Sequence, residues 1–311
     1  MKILVTGGAG FIGSHVVDVY LQHGHEVVVV DDLSTGLRSN LNPAARFYEA
    51  DIRGPELASV FEKERPECVN HHAAQKDVRV SMADPLFDAE VNVLGSINLL
   101  ECCRKYGTGK FIYGSSGGAM YGEPEYLPCD ENHPVRPLSP YGASKHTVEH
   151  YLFIYRANYG LNYTVLRYAN VYGPRQPGDG EGGVVAIFAR RMLAGYDVTI
   201  NGDGEQVRDF VYVGDCARAN VLALEARAAD PAYDLGSGEG TNINDLFSRL
   251  KAITGYAREA VHGPAKLGET RAIYTDASKA RRELGWRPEV GLDDGLRQVV
   301  KYLSERAAAA G

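Results

Sequence analysis

Short apolar runs alternate with longer amphipathic segments over the first two-thirds of the chain. Residues 27–30 are four consecutive valines, which is typical of a strand buried on both faces of a sheet. Alternation of such strands with helical segments predicts an α/β fold, a doubly wound parallel sheet with helices on both faces. The predicted strands are 3–5, 27–30, 46–50, 68–71, 110–113 and 163–167, and the predicted helices are 12–22, 55–64, 88–105 and 141–159.

The alternation of strands and helices becomes less regular after about residue 171. We therefore predict a first domain over 1–170 and a smaller mixed α/β domain over 171–311, with a segment at about 208–230 returning to the first domain. Glycines at 178–183 predict a flexible loop. Ligands of doubly wound folds bind beyond the carboxyl ends of the strands, which here is the cleft between the two parts. Helices are predicted at 184–194, 215–226, 244–254, 276–284 and 292–306.

Composition narrows the class of protein. The 311 residues are 44% hydrophobic and 23% charged, as in ordinary globular chains. A formal net charge of −7 gives no bulk attraction for nucleic acid or an anionic membrane. Glycines interrupt the first apolar stretch, and no apolar run is long enough for a membrane span. The five cysteines contain no CxxC pair, so we expect reduced thiols, no metal site and a cytoplasmic location.

A glycine-rich turn follows the first predicted strand. Gly7, Gly10 and Gly13 have GxxGxxG spacing and lead into the first predicted helix. Glycines let a backbone approach a pyrophosphate, which then rests on the helix N-terminus. Asp31 ends the second predicted strand, where a carboxylate accepts hydrogen bonds from the ribose hydroxyls of NAD and repels the 2′-phosphate of NADP. This is the Rossmann pattern of an NAD site, although two adjacent acids also suit a solvated turn.

The residues Tyr-Gly-Ala-Ser-Lys at 141–145 form a YxxxK pair. On a helix, Tyr141 and Lys145 share one face, and a nearby ammonium lowers the pKa of a phenol, which then accepts a proton from a substrate hydroxyl. Lys145 also suits the cofactor ribose. A second match, Tyr106 to Lys110, contains two glycines that break a helix. We therefore assign the catalytic role to the first match.

Two serines follow the predicted strand 110–113. The run Ser-Ser-Gly-Gly-Ala at 115–119 is by composition a loop, but its position at a strand end favours a site. A hydroxyl there is suited to bind a sugar hydroxyl and relay its proton. The spacing leaves open whether Ser115 or Ser116 is catalytic, and we prefer Ser116.

The chain resembles the extended short-chain dehydrogenase/reductase family over nearly its whole length, and within that family the UDP-glucose 4-epimerases. The resemblance rests on residues 6–13, 31–36, 72–75, 115–122, 141–145, 167–175 and 208–211. It implies that NAD is contacted by Phe11, Ile12, Asp31, Asp51, Ile52, Lys76 and Asn92, with Tyr141 and Lys145. It also implies that Asn170 and Arg208 hold the nucleotide diphosphate of a UDP-sugar, with Lys266 where an arginine is usual, and that Glu269 binds the uridine ribose.

The resemblance also suggests a reaction. Members of the family oxidise a sugar at C4, and dehydratases carry Asp-Glu after the strand where this chain has Ser115, Ser116 and Gly117. Without those acids the ketone is reduced again, which is the interconversion of UDP-glucose and UDP-galactose. The alternatives are a 4,6-dehydratase, a UDP-glucuronate decarboxylase or epimerase, and, more remotely, a non-catalytic NAD-binding regulatory protein.

The helix around residues 146–155 carries more apolar residues than one buried stripe requires. Related enzymes pair through two such helices per subunit, and the second corresponds to 93–106. We therefore expect a symmetric homodimer. The alternative is that these residues only pack on the sheet.

Overall fold

Helices on both faces enclose a seven-stranded parallel sheet, and a smaller lobe of short strands and helices completes the molecule. The computed structural model describes residues 1–178, 183–265 and 270–310, so most of the loop predicted at 178–183 lies outside the described residues. The strands are β1 Lys2–Thr6, β2 Glu26–Asp31, β3 Arg46–Glu49, β4 Cys68–His71, β5 Lys110–Ser116, β6 Asn162–Tyr168, β7 Asn170–Tyr172, β8 Thr199–Asn201, β9 Val207–Tyr212, β10 Ala232–Leu235, β11 Gly240–Asn242, β12 Val261–Gly263 and β13 Ala272–Ile273.

Most of the helices connect these strands. A short 3₁₀ turn covers Arg38–Asn40, and a π-helical segment, Glu90–Leu94, joins α4 to α5. The α-helices are α1 Phe11–Gln22, α2 Glu56–Glu64, α3 Val78–Ala83, α4 Pro85–Ala89, α5 Gly95–Tyr106, α6 Pro140–Tyr159, α7 Val184–Leu193, α8 Val213–Ala223, α9 Ile243–Thr254, α10 Ser278–Leu284 and α11 Leu292–Ala310.

The large sheet has the strand order β10-β6-β5-β4-β1-β2-β3, and all its pairs are parallel. The direction of strand addition reverses between β1 and β4, which is where doubly wound folds bind ligands. Alternate residues of β1 enter opposite cores: Ile3 packs with α1, α8 and α10, and Leu4 packs with α2, α5 and α6. Both faces are therefore covered, and the predicted doubly wound α/β class is confirmed.

The smaller lobe contains a four-stranded sheet, in which β9 pairs with β7, β11 and β13, and a two-stranded pair, β8 with β12. Its core lies between α7, α9 and α11 and includes Phe188, Leu246, Phe247 and Leu296. The lobe is held together by helix packing, because its strands have only two to six residues each.

The chain returns to the large sheet after β9, before β11 and β13 complete the small sheet. Helix α8 packs against α1, and β10 pairs with β6 at the sheet edge. The expected return was at about 208–230; in the structure, β9 (Val207–Tyr212) still belongs to the small sheet, and the return continues to Leu235. Trp286, which is fully buried, donates its indole N–H to the Asp215 carbonyl at 2.8 Å and fixes the segment after α10 to α8.

The five cysteines are all buried, and none forms a disulfide. In the part of the chain that the structure describes, none of the helices combines the length and the apolar character that crossing a bilayer requires.

Candidate active site

The turn between β1 and α1 is shaped for an anion. Gly7 has φ +70, and a Cβ atom at Gly13 would lie 2.1 Å from the Gly7 carbonyl oxygen, so both positions require glycine. Gly10 is the N-cap of α1 and provides no side-chain hydrogen bond. The N–H groups of the first turn of α1 are therefore available to a ligand. Together with the helix dipole they form a phosphate-binding site.

A cleft of about 630 Å³ opens beside this turn at the carboxyl edge of the sheet. Its volume lies in the range of cofactor pockets, roughly 300–1,000 Å³. Its walls come from residues that follow or end β1 to β5, as expected at a topological switch point. The cleft brings together most of the residues that were expected to contact NAD: Gly7, Gly10, Phe11, Ile12, Gly13, Asp31, Asp51, Ile52, Lys76, Tyr141 and Lys145.

Asp31 stands at the end of β2 with 6% of its surface exposed. Its carboxylate accepts the backbone N–H groups of Ala9 and Leu33, both at 2.9 Å. Burial raises the pKa of Asp31, and these two hydrogen bonds oppose that rise. The neighbouring Asp32 is exposed and bonds only within its own turn, to Ser34. Asp31 is thus the fixed carboxylate of the cleft, and its remaining lone pairs suit ribose hydroxyls.

Asp51 lies in the cleft wall, but its carboxylate is engaged by Arg53 through Nε at 2.9 Å and Nη2 at 2.6 Å. Hydrogen bonding by Arg53 lowers the pKa of Asp51. The Arg53 guanidinium also lies 5.7 Å from the centre of the Phe87 ring. Arg53 and Phe87 both line the cleft, and sequence reasoning missed them because nothing in the local pattern marks either one.

Asn92 does not line the cleft. It is buried in the π-helical segment, and its amide exchanges two hydrogen bonds of 2.9 Å with the backbone of Gln75. It also donates to Ser144 at 3.1 Å. Gln75 lines the cleft and Ser144 lies on α6. The geometry gives Asn92 a supporting place behind the wall, and its direct contact with NAD stays a prediction of the resemblance.

Helix α6 presents the Tyr141–Lys145 pair at its first turns. Ser139 caps the helix by accepting the Gly142 N–H, and Pro140 occupies the first helical position, where its missing N–H costs nothing. Lys145 Nζ donates to the Gly114 carbonyl at 2.6 Å and lies 4.6 Å from the centre of the Tyr113 ring. Burial lowers the pKa of Lys145 to about 8, so the ammonium is still mostly charged at neutral pH.

The expected low pKa of Tyr141 is not found. Burial raises the pKa of its phenol to about 12, and a hydrogen bond from Ser116 acts in the opposite direction. Desolvation disfavours the phenolate, and it outweighs the favourable effect that we expected from Lys145. In the ligand-free site the phenol is therefore protonated at rest, and Ser116 is the group that favours its ionisation.

The two serines have different surroundings. The Ser115 hydroxyl is buried and donates to Glu149 Oε1 at 2.7 Å. Ser116 ends β5, is partly exposed and contacts Tyr141. Ser115 lines the cleft, and Ser116 is the serine that interacts with the Tyr141 phenol.

The second YxxxK match is separate from this site. Tyr106 ends α5 and stacks on Phe61, and Gly107 at φ +76 ends the helix. Lys110 begins β5 and donates to Thr164 and to the Ala226 carbonyl, each at 2.7 Å. The two side chains therefore support packing at the opposite edge of the sheet.

The residues expected to bind the substrate diphosphate lie on the small sheet. Asn170 begins β7 and is exposed; its register partner on β9 is Phe210, two residues from Arg208. Residues two apart on a strand share a face, so Asn170 and Arg208 are on one face of the small sheet. Lys266 and Glu269 lie outside the described residues.

Residues 3–236 match the NAD dependent epimerase/dehydratase family, and the chain belongs to that family. The UDP-glucose 4-epimerase of Mycolicibacterium smegmatis is 41% identical over 99% of this chain and 100% of its own length. The crystal structure of the Thermotoga maritima UDP-glucose 4-epimerase with UDP-glucose has a TM-score of 0.97 and 51% identity, covering 99% of this chain and 100% of that one. The Thermus thermophilus UDP-glucose 4-epimerase in complex with NAD has a TM-score of 0.93 and 46% identity, covering 98% and 99% of the two chains.

Proposed function

We propose that this protein is an NAD-dependent isomerase that interconverts UDP-glucose and UDP-galactose by transient oxidation at C4. The observation that carries the proposal is that Tyr141 and Lys145, one helical turn apart on α6, both line a cleft shaped for a dinucleotide. The similarity to UDP-glucose 4-epimerases over nearly the full length supports the same reaction.

The cleft fits NAD on two features of its own residues: the first turn of α1 leaves N–H groups for a pyrophosphate, and the buried carboxylate of Asp31 faces the position of a ribose. Bound NAD supplies the acceptor and later the donor of the C4 hydride. Phe11, Ile12, Asp51, Ile52 and Lys76 would form the remaining contacts, with Asn92 acting through Gln75.

Tyr141, assisted by Ser116, transfers the proton of the C4 hydroxyl. Tyr141 acts in its phenolate form: it accepts this proton as the hydride leaves and returns it when the hydride comes back to the opposite face of the ketone. Ser116 hydrogen bonds the phenol and stabilises the phenolate form. Lys145, anchored on the Gly114 carbonyl, supplies a positive charge one turn away that favours the same form.

The site disfavours elimination. A dehydratase must remove the C5 proton and expel water, which requires a carboxyl group in the loop after β5. Residues 116–122 of that loop contain none. Two buried carboxylates lie behind it, but Glu149 is paired with Arg167 and Asp234 accepts from Tyr121. Neither is presented to the cleft, so the ketone is reduced rather than dehydrated.

Asn170 and Arg208 would hold the diphosphate of the UDP-sugar from the small sheet, since both lie on one face of it. We assign Lys266 a second diphosphate contact and Glu269 the uridine ribose, following the match of residues 266–271 to the family motif.

We also propose a cytoplasmic homodimer. Of the apolar residues of α6, Val148, Leu152 and Tyr155 pack in the core, while Phe153 and Ile154 are 63% and 45% exposed. Helix α5 lies beside α6, and Leu94, just before it, is 58% exposed. These side chains support pairing of the two helices with their copies in a second subunit.

The reaction is tested by incubating the protein with UDP-galactose in deuterated water and following the sugar by NMR. We expect UDP-glucose, no deuterium in the ring and no consumption of added cofactor, because NAD is restored in each turnover. Tyr141→Phe is the control for an uncatalysed or contaminating activity. Deuterium at C5 with a 6-deoxy-4-keto product would overturn the assignment in favour of a dehydratase.

A further inference from the structure

Both ends of the loop that carries Ser116 are tied to one buried ion pair. We call residues 115–121, the last two residues of β5 and the first five of the connection that follows, the serine loop. At its start, the Ser115 hydroxyl donates to Glu149 Oε1 at 2.7 Å. At its end, the Tyr121 hydroxyl accepts from Arg167 Nη1 at 3.1 Å. Glu149 and Arg167 are themselves joined by hydrogen bonds of 2.6 Å and 3.2 Å.

The pair lies deep in the protein. Glu149 and Arg167 are 9% and 7% exposed, and Ser115 and Tyr121 are buried with them. Burial raises the pKa of Glu149, but His146, Arg167 and Ser115 together lower it to about 2. The carboxylate is therefore charged at every pH at which the protein works. Asp234 on β10 extends the network by accepting from Tyr121 at 2.6 Å.

The ion pair also belongs to the helix that carries the catalytic tyrosine. Tyr141, Lys145 and Glu149 follow one another at intervals of four residues on α6, so they share one face. That face is attached to β5 at two consecutive residues: Lys145 bonds the Gly114 carbonyl and Glu149 bonds Ser115. Ser116, which contacts Tyr141, is the next residue of the strand.

A buried ion pair is an expensive way to fill a core, because apolar residues of similar volume are often as stabilising. What apolar residues lack is hydrogen-bond direction. Each partner of this pair makes one hydrogen bond to one end of the serine loop, and the two partners lie on different elements, α6 and β6.

We propose that the Glu149–Arg167 pair is a positioning clamp that sets the place of Ser116 relative to Tyr141. Ser115 and Tyr121 are the attachment points; Ser115 also lines the cleft, whereas Tyr121, Glu149 and Arg167 lie outside its lining. This inference rests on the proposed function, since Ser116 and Tyr141 matter together only if they move the same proton.

The test is Ser115→Ala, which removes one hydroxyl and leaves the ion pair intact. We expect kcat with UDP-galactose to fall about 10- to 100-fold, the usual cost of a small misplacement of catalytic groups, while KM and the NAD content stay within about threefold. Because the Ser116 hydrogen bond lowers the pKa of Tyr141, loosening it raises that pKa. The pH at which activity is half-maximal on the acid side should therefore move upward.

Thr108→Ala is the matched control. Thr108 is also buried, and its hydroxyl donates to the Pro66 carbonyl at 3.0 Å near the opposite end of β5. It should lower the melting temperature by a similar amount and leave kcat and the pH profile unchanged. If Thr108→Ala has the same effect on kcat as Ser115→Ala, or if Ser115→Ala has no effect, the clamp is refuted.

A second readout does not depend on the substrate. With ¹³Cζ-tyrosine labelling of the NAD-loaded protein, the Tyr141 signal is the one lost in Tyr141→Phe. We expect this signal to shift in Ser115→Ala and not in Thr108→Ala. An unmoved signal in Ser115→Ala overturns the clamp, whatever the activity of the protein. A wild type that is inert toward UDP-galactose overturns only the proposed function. Tyr121→Phe releases the other end of the serine loop and gives the same test should Ser115→Ala fail to fold.

Discussion

Replacing Asp31 by Asn tests whether its charge selects the cofactor. The change keeps the size of the side chain and one of the two oxygens that accept the Ala9 and Leu33 N–H groups. A hydrogen bond to a charged group contributes about 1.5–3 kcal/mol, so we expect NAD to bind about 10- to 150-fold more weakly. For NADP, the wild-type carboxylate and the 2′-phosphate repel by about 4 kcal/mol per pair of unit charges at about 4 Å. This repulsion predicts a roughly thousandfold preference for NAD in the wild type, which should shrink to less than about tenfold in Asp31→Asn.

Calorimetric titration of the cofactor-free protein with NAD and with NADP measures both affinities. Asp32→Asn is the matched control, because it makes the same chemical change on the next residue, which is exposed and also lines the cleft. We expect it to alter both affinities by less than about threefold, as for most surface substitutions. An unchanged ratio of the NAD and NADP affinities in Asp31→Asn, or an equal change in Asp32→Asn, would refute the reasoning.

The pKa of Asp31 gives the same experiment a pH dependence. Because burial raises this pKa in the folded protein, the protonated carboxyl is favoured there. Its contribution to the stability of the cofactor-free protein is therefore greatest below the ordinary pKa of 3.8 and is lost as the pH rises through the folded value. NAD binding should show the opposite trend and weaken as Asp31 is protonated, whereas Asp31→Asn should bind with little dependence on pH in that window.

Other expectations follow from the site and its surroundings. Tyr141→Phe should retain the fold and NAD but lower kcat by about 10²- to 10⁴-fold, whereas Tyr106→Phe should leave kcat unchanged. Steady-state rates of the two variants test this expectation. Lys145→Ala should weaken NAD binding and move the activity profile to higher pH, measured by titration and by pH–rate curves. The pKa of Glu149 falls from 4.5 to about 2 on folding, so about 3 kcal/mol of stability should be present above pH 4.5 and lost as the pH falls toward 2; urea unfolding at several pH values should show this loss in the wild type and not in Glu149→Gln. Phe153→Glu should convert a dimer into monomers in light scattering, and a wild type that is already monomeric at micromolar concentration would contradict the interface.

The large sheet was predictable from sequence because its strands are local signals. Four consecutive valines from Val27 to Val30 admit few conformations other than a doubly buried strand, and the glycines at residues 7–13 mark the turn after β1. Strand β10 was missed because it lies beyond residue 171, where the alternation of strands and helices is less regular, and pairs with β6 from more than 60 residues away. Strands of two or three residues in the small sheet were missed for the same reason, since partners distant in sequence define them.

The candidate site, like the fold, could be predicted from the sequence only in part. The residue types of Asp31, Tyr141 and Lys145, and their places at a strand end or on one helix face, are legible in the sequence. The pKa of Tyr141 is not, because it depends on how far the fold removes the phenol from water. The engagement of Ser115 by Glu149 joins residues 34 positions apart, and only the folded structure distinguishes that serine from Ser116.

The repeated passage of the chain between the two lobes constrains how ligands enter and leave. After β6 the chain runs to the small sheet, back to α8 and β10, out again to β11 and α9, back to α10, and finally to α11, which packs on α7. A hinge rotation of one lobe would have to bend all of these connections together, whereas a typical hinge motion is absorbed by a few loop residues. We therefore expect a rigid pair of lobes, in which exchange of the sugar nucleotide proceeds through rearrangement of surface loops. Because the chain crosses repeatedly between the lobes, the segment 1–170 lacks β10 and the Trp286 anchor. We therefore expect that neither lobe folds when it is expressed alone.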